Sequence, residues 1–388
     1  MPANQLPAFD FGLGEQAEML RDSVRSFADD EIAPRAADID RSNDFPMELW
    51  RKMGALGILG ITVEEEFGGA GMGYLEHCVA MEEVSRGSAS VGLSYGAHSN
   101  LCVNQIKRNG NAAQKKKYLP KLISGEFVGA LAMSEPGAGS DVASMRTRAV
   151  RDGNHFVLNG AKMFITNGVH ADLYFVAAKT DPAAKGSRGI TMFAIEKGTP
   201  GFRVGQQLDK TGWRSSDTAE LVIEDCRVTA DAMLGEENKG FYAIMRNFQN
   251  ERVVMGAMAM AEAGRAIEIT LDYVKNRPAF GGTLWDKQAI RQKLAFLAAK
   301  VEAGRQLVHH AAWLDAQGQD CVREVSMVKA YCGDLVNEVM YACVQFHGGM
   351  GYMRESVIER MSRDARIHAI GGGATEVMLE EVAKRMDA

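Results

Sequence analysis

The sequence predicts an α+β protein: an all-α domain over 1–125, a β-barrel or sandwich domain over 126–237, and an antiparallel four-helix bundle over 238–388. Two observations predict it. In the first and last thirds apolar residues recur three and four apart, the spacing of one helix face. Between them the texture changes to short runs rich in Val, Ile, Phe and Thr, broken by Gly, Asp, Asn and Pro. With 388 residues, 46% of them hydrophobic, the chain can bury a large core.

The helical pattern of the first block runs from about Glu15 to Ser124, punctuated by Pro34, Pro46 and the glycine cluster at 68–73. In the middle block, from about Phe127 to Val228, the runs HFVLNG, LYFVAAKT, GITMFAIE and AELVIEDCRV read as strands. Beyond about Asn238 the helical patterns lengthen to roughly 239–276, 286–315 and 322–346, well above the mean helix, and should pack antiparallel. The 22 methionines read as core filler.

Charge and cysteine usage exclude several function classes. Lys plus Arg number 44 against 50 Asp plus Glu, a net charge of -6, so no broad basic field draws nucleic acid or an anionic membrane. Six cysteines, Cys78, Cys102, Cys226, Cys321, Cys332 and Cys343, contain no CxxC pair and read as free thiols in a reducing compartment, with no metal site. His309 and His310 are adjacent, so a helix points them in different directions, and no HExxH pair exists. No apolar stretch reaches the roughly 18 residues of a membrane span. The N-terminus has no basic residue before Arg21, which argues against a secretory or transit leader and for a bacterial cytoplasmic protein, or a mitochondrial matrix protein in processed form.

Glycine clusters stand at 68–71, 137–139, 348–351 and 371–373, none inside a βαβ unit, which disfavours a dinucleotide-binding fold. Three glycines in a row at 371–373, just before the last helical pattern, would let a ligand lie on the backbone with amides free to donate. Glu251 shares a helix face with Met255 and Met258, where burial would raise its pKa and suit it to act as a base. Glu262 falls on nearly the same face, and a solvated glutamate paired with Arg252 fits the pattern equally well, so periodicity leaves the choice open.

LAMSEPGAGSD at 131–141, KMFITNG at 162–168, WRSSDTAELVIEDCRV at 213–228, NRPAFGG at 276–282 and QFHGGMGYM at 345–353 resemble, in order, the motifs of the acyl-CoA dehydrogenase family. The resemblance implies the same three-domain fold, a homotetramer, FAD as cofactor and electron-transferring flavoprotein as redox partner. It assigns Met133, Ser134, Gly139 and Ser140, with Phe164 and Thr166 beside the ring, to flavin contacts within one subunit. It assigns Arg277, Phe280, Gln288, Gln345, Gly348 and Gly349 to FAD contacts made across a subunit boundary. Phe164 stands where many members have tryptophan.

For the base, many members carry a glutamate where this chain has Gly372, and Glu376 is not that residue. The isovaleryl-CoA and long-chain members place it before an arginine on the first bundle helix, the position of Glu251-Arg252. The implied reaction is removal of the pro-R α proton by Glu251 and of the β hydrogen as hydride to flavin N5, giving a trans-2-enoyl-CoA. A ribityl hydroxyl and the Gly372 amide would stabilise the developing enolate. Ser140, Ser187 and Arg252 are candidate CoA contacts. The run from about Asp40 to Met133 is most similar to isovaleryl-CoA dehydrogenases, the C-terminal third to long-chain ones. Gly371, where straight-chain members hold tyrosine, favours a short branched acyl group; a medium- or long-chain dehydrogenase or an acyl-CoA oxidase are the alternatives.

Overall fold

The structure is a computed structural model that describes residues 13–386, so the reading of the leader lies outside the described residues. The first block builds α1 (Glu15–Phe27), α2 (Ala36–Ser42), α3 (Glu48–Ala55), α4 (Tyr74–Gly87), α5 (Ala89–Gly96), α6 (Asn104–Asn109) and α7 (Ala112–Ile123). Helix starts follow local chemistry: Asn111 Oδ1 accepts from the Gln114 N–H while Gln114 Oε1 accepts from the Asn111 N–H, a capping box opening α7. Between α5 and α6 the chain widens into a π-helix, Ala97–Val103. Such turns are rare and cluster at functional sites.

The middle block forms β1 (Gly129–Ala132), β2 (Arg148–Asp152), β3 (His155–Thr166), β4 (Leu173–Lys179), β5 (Ile190–Glu196), β6 (Phe202–Gln207), β7 (Thr218–Thr229) and β8 (Met233–Leu234). They make one eight-stranded sheet, ordered β6-β7-β3-β2-β4-β5-β8, with β1 pairing parallel to β4. β6 and β8 end the path unpaired with each other, so among the described residues the sheet does not close into a barrel. The sheet folds over until Phe156 of β3 meets Phe193 of β5 edge-on at 5.0 Å. Along β4, Tyr174, Val176 and Ala178 face this core, while Leu173, Phe175 and Ala177 face α6 and α7 through Ile106, Leu119 and Leu122. Burial on both faces is why this strand reads as an unbroken apolar run.

The last block contains α8 (Gly240–Asn276), a small hairpin of β9 (Pro278–Ala279) and β10 (Gly282–Thr283), α9 (Gln288–Ala316), α10 (Val322–His347), α11 (Val357–Ala365) and α12 (Thr375–Ala383). α8 packs on α9 and α10 along one side and on α4 and α5 along the other, so the N-terminal helices and the bundle share one hydrophobic core. All six cysteines are buried and free. Among the described residues no helix is long and apolar enough to cross a membrane, and no group of His, Cys, Asp and Glu is placed to hold a metal.

Candidate active site

Glu251 lies about a third of the way along α8, 5% exposed, where α8 passes the π-helical turn. Asn100, on that turn, donates from Nδ2 to Glu251 Oε2 at 2.7 Å. Desolvation pushes the carboxyl up to about 7, against the Asn100 hydrogen bond and the Lys329 charge, which both pull it down. A carboxyl balanced near neutrality can hold or release a proton at working pH. Glu262, three turns on, has a different fate: its Oε1 pairs with His368 Nε2 at 3.0 Å, both side chains 1% exposed. The face shared in projection is therefore divided in space, with Glu262 committed to an internal partner.

Met255, one turn after Glu251, carries α8 to the glycine loop. A Cβ on Gly372 would stand 3.9 Å from Met255 Cγ and 3.6 Å from Lys329 Cε. Gly372 and Gly373 sit at φ +68 and +116, which few residues other than glycine tolerate. The buried Lys329 Nζ donates to the carbonyl oxygens of His368 and Gly373, clamping both ends of this loop to α10. Burial lowers Lys329 to about 8. Among the described residues nothing accepts from the Gly372 N–H, so the loop presents a free donor near Glu251. Lys329 and Asn100 were not singled out from sequence; a lone Lys and a lone Asn inside apolar helical runs were the available signals.

The β-domain residues expected to touch flavin converge. Met163 N–H donates to Ser134 O at 2.9 Å, joining 133–140 to the end of β3. Beneath them Lys162, fully buried, pairs with Glu135 at 2.8 Å, and Glu135 also accepts the Arg146 and Thr147 amides. A register shift between Lys162 and Ile165 turns Phe164 outward at φ 63, leaving its ring 68% exposed. Gly139, on the 133–140 segment, has open space around it, since a Cβ there would meet nothing within 4 Å. A strained backbone that displays an exposed aromatic ring at the end of β3, which is joined to the 133–140 segment, fits a planar cofactor such as flavin. Ser187 sits on the turn Gly186–Gly189, packed against Val142–Ser144 near Ser140. Arg252 instead faces α12, where Glu381 is its nearest counter-charge, so it is not gathered with the two serines.

The remaining expected FAD residues meet at another place. Arg277, the 92% exposed Phe280 and Gln288 lie at the hairpin that ends α8, and Gln345, Gly348 and Gly349 at the end of α10. Stacking of Tyr273 on His347, with centroids 4.1 Å apart, and a hydrogen bond from Tyr273 Oη to His347 O lock these two ends together. Arg277 follows Glu251 by enough helix to stand roughly 39 Å along α8 from it.

The chain matches the family models described as acyl-CoA dehydrogenase N-terminal domain over 14–126, middle domain over 130–226 and C-terminal domain over 238–387. Mitochondrial isovaleryl-CoA dehydrogenase of Pongo abelii is 46% identical over 380 residues, covering 97% of this chain and 90% of its own. Butyryl-CoA dehydrogenase from Megasphaera elsdenii superposes with a TM-score of 0.95 at 36% identity, covering 98% of this chain and 100% of its own. A structure described as PigA with FAD and proline superposes at 0.94 with 29% identity, over 98% and 99%.

Proposed function

The chain belongs to the acyl-CoA dehydrogenase family and is an FAD-dependent enzyme of acyl-CoA dehydrogenation, and from that premise we propose that its substrate is a short branched acyl-CoA of the isovaleryl type and its α-proton base Glu251. One observation carries the reading of the base: a buried carboxyl held near neutrality, beside a glycine loop with a free amide.

Bound FAD would supply the acceptor for the β hydrogen, which leaves as hydride. Met133, Ser134, Gly139, Ser140, Phe164 and Thr166 would hold the flavin, with Arg277, Phe280, Gln288, Gln345, Gly348 and Gly349 reaching it from a neighbouring copy in a homotetramer. The separation of about 39 Å along α8 supports that second group acting on another subunit's site. Arg277 suits a pyrophosphate because its planar fork is always charged. Glu251 takes the α proton, and the product is the trans-2-enoyl-CoA. An α proton of a thioester is too weakly acidic for a free carboxylate. Desolvation of Glu251 raises its basicity, and the Gly372 N–H donates to the thioester oxygen where negative charge develops. Ser140 and Ser187 would serve the CoA portion. Gly371, with no side chain, leaves room for a methyl branch, and electrons pass on to electron-transferring flavoprotein.

The test is anaerobic bleaching of the bound flavin by an acyl-CoA panel, followed by turnover with that flavoprotein. Isovaleryl-CoA should give the highest kcat/KM. Preference for octanoyl-CoA would reject the branched-chain reading, and rapid peroxide release in air would point to an oxidase.

A further inference from the structure

We propose that Asn100 is a positioning residue for Glu251: its side-chain amide, locked by Tyr74, aims the carboxylate and favours its proton-accepting form. This rests on the reading of Glu251 as the base. The three side chains form one buried chain. Tyr74 Oη, on α4, donates to Asn100 Oδ1 at 2.5 Å, and Asn100 Nδ2 donates to Glu251 Oε2 at 2.7 Å. Their exposures are 7%, 1% and 5%, so water does not compete for these bonds.

The direction of the amide follows from its two neighbours. With the phenol proton on Oδ1, the NH2 group must face the carboxylate; a flipped amide would set oxygen against oxygen. A buried lone-pair clash of that kind is disfavoured more strongly than the same clash in water.

The backbone beneath the amide is equally fixed. Asn247, one turn before Glu251 on α8, donates from Nδ2 to Asn100 O at 2.9 Å. α8 thus grips the main chain of Asn100 at one turn and receives its side chain at the next. Ser99 Oγ donates to Tyr95 O at 2.8 Å, and His98 bridges Leu122 O and the Gly129 N–H. The π-helical turn is held from both sides, so the amide cannot drift from the carboxylate.

Other groups bearing on Glu251 are few. Lys329 approaches from α10, Cys102 from the π-helical turn and Tyr74 from α4, while Arg252 on α8 acts on Lys329. Burial pushes the Tyr74 phenol and the Cys102 thiol up, which keeps both neutral. Lys329 contributes charge without a hydrogen bond to the carboxylate, its Nζ being used on the loop carbonyls. Asn100 supplies the direct, directional donor.

Loss of that donor removes a bond to the charged form, so the base should titrate higher and the acid limb of flavin reduction should move up in pH. In flavinated Asn100→Ala the limb should rise by about one pH unit. Asn100→Asp, which sets a second carboxyl against Glu251, should move it further. Tyr74→Phe, which frees the amide without removing it and barely perturbs packing, should give a smaller rise in the same direction. Infrared difference titration of the Glu251 carboxyl, referenced to Glu251→Gln, should report the same order without turnover. Flavin content and melting temperature identify any variant that fails to fold, and Tyr74→Phe then carries the test. An unmoved limb and an unmoved carboxyl titration in Asn100→Ala and Tyr74→Phe, with Glu251→Gln inactive, would overturn the role of Asn100 alone. Wild-type reduction by Glu251→Gln would instead overturn the base assignment itself.

Discussion

At the scale of single residues, burial does opposite things to two glutamates on one helix. Glu251→Gln should keep FAD and fold yet slow flavin reduction by about 10³-fold or more, since the near-isosteric amide cannot take a proton. Glu262→Gln, which only exchanges an internal partner of His368, should reduce at nearly the wild-type rate; stopped-flow bleaching separates the two. The same variant has a thermodynamic signature. The Glu251 carboxyl rises from an ordinary 4.5 in the unfolded chain to about 7 in the fold, so the native state binds the extra proton between those values. Stability therefore falls as pH rises through that window, and the full penalty, on the order of 3 kcal/mol, is present above about pH 7. Glu251→Gln should melt higher than wild type at pH 8 and about equally at pH 4. Equal melting at pH 8 would show that the carboxyl is better solvated than its burial indicates. The sequence placed both glutamates on one apolar face and could not choose, because eleven residues is three turns and projection hides distance. The choice lies in tertiary partners, Asn100 for one and His368 for the other.

At the scale of elements, the long helices and the central strands were legible because their periods repeat many times. The irregular pieces were not. The π-helical turn at Ala97–Val103 breaks the 3.6 spacing, and the register shift that turns Phe164 outward depends on how β3 meets β7. These deviations position Asn100 and the aromatic ring, so the candidate site was least readable where local rules yield to pairing. The glycine loop was legible as an irregular backbone segment before the last helix, but its clamp by Lys329 from α10 was not. Gly371, unlike Gly372 and Gly373, lies outside the left-handed region, and a Cβ there would meet Ile367 at an ordinary 3.6 Å. Gly371→Tyr should therefore act through volume and not backbone strain. The ratio of kcat/KM for isovaleryl-CoA over butyryl-CoA should fall roughly ten- to two-hundred-fold, with Gly371→Ala close to wild type. If Gly371→Ala harms both substrates equally, the loop and not the pocket is responsible.

At the scale of the whole molecule, α8 carries the candidate base in its first third and the proposed FAD arginine at its end, roughly 39 Å apart along the helix, which is why the arginine is proposed to serve a neighbouring copy's site. Arg277→Ala should weaken FAD retention and oligomer stability together, since binding and assembly are then linked. Analytical ultracentrifugation with flavin absorbance checks it, and a variant that stays flavinated as a monomer would reject the cross-subunit arrangement. The six thiols, spread over all three blocks and each made less acidic by burial, give the molecule an internal stopwatch. An alkylating reagent attacks thiolate and must wait for the chain to open around each sulfur. Mass spectrometry of timed iodoacetamide labelling would then rank the opening of the β core at Cys226, the N-terminal helices at Cys78 and Cys102, and the bundle at Cys321, Cys332 and Cys343. Cys78, Cys321, Cys332 and Cys343 share one core and should be labelled in step, while Cys102, packed between helices and sheet, and Cys226, inside the sheet's own core, each keep their own time.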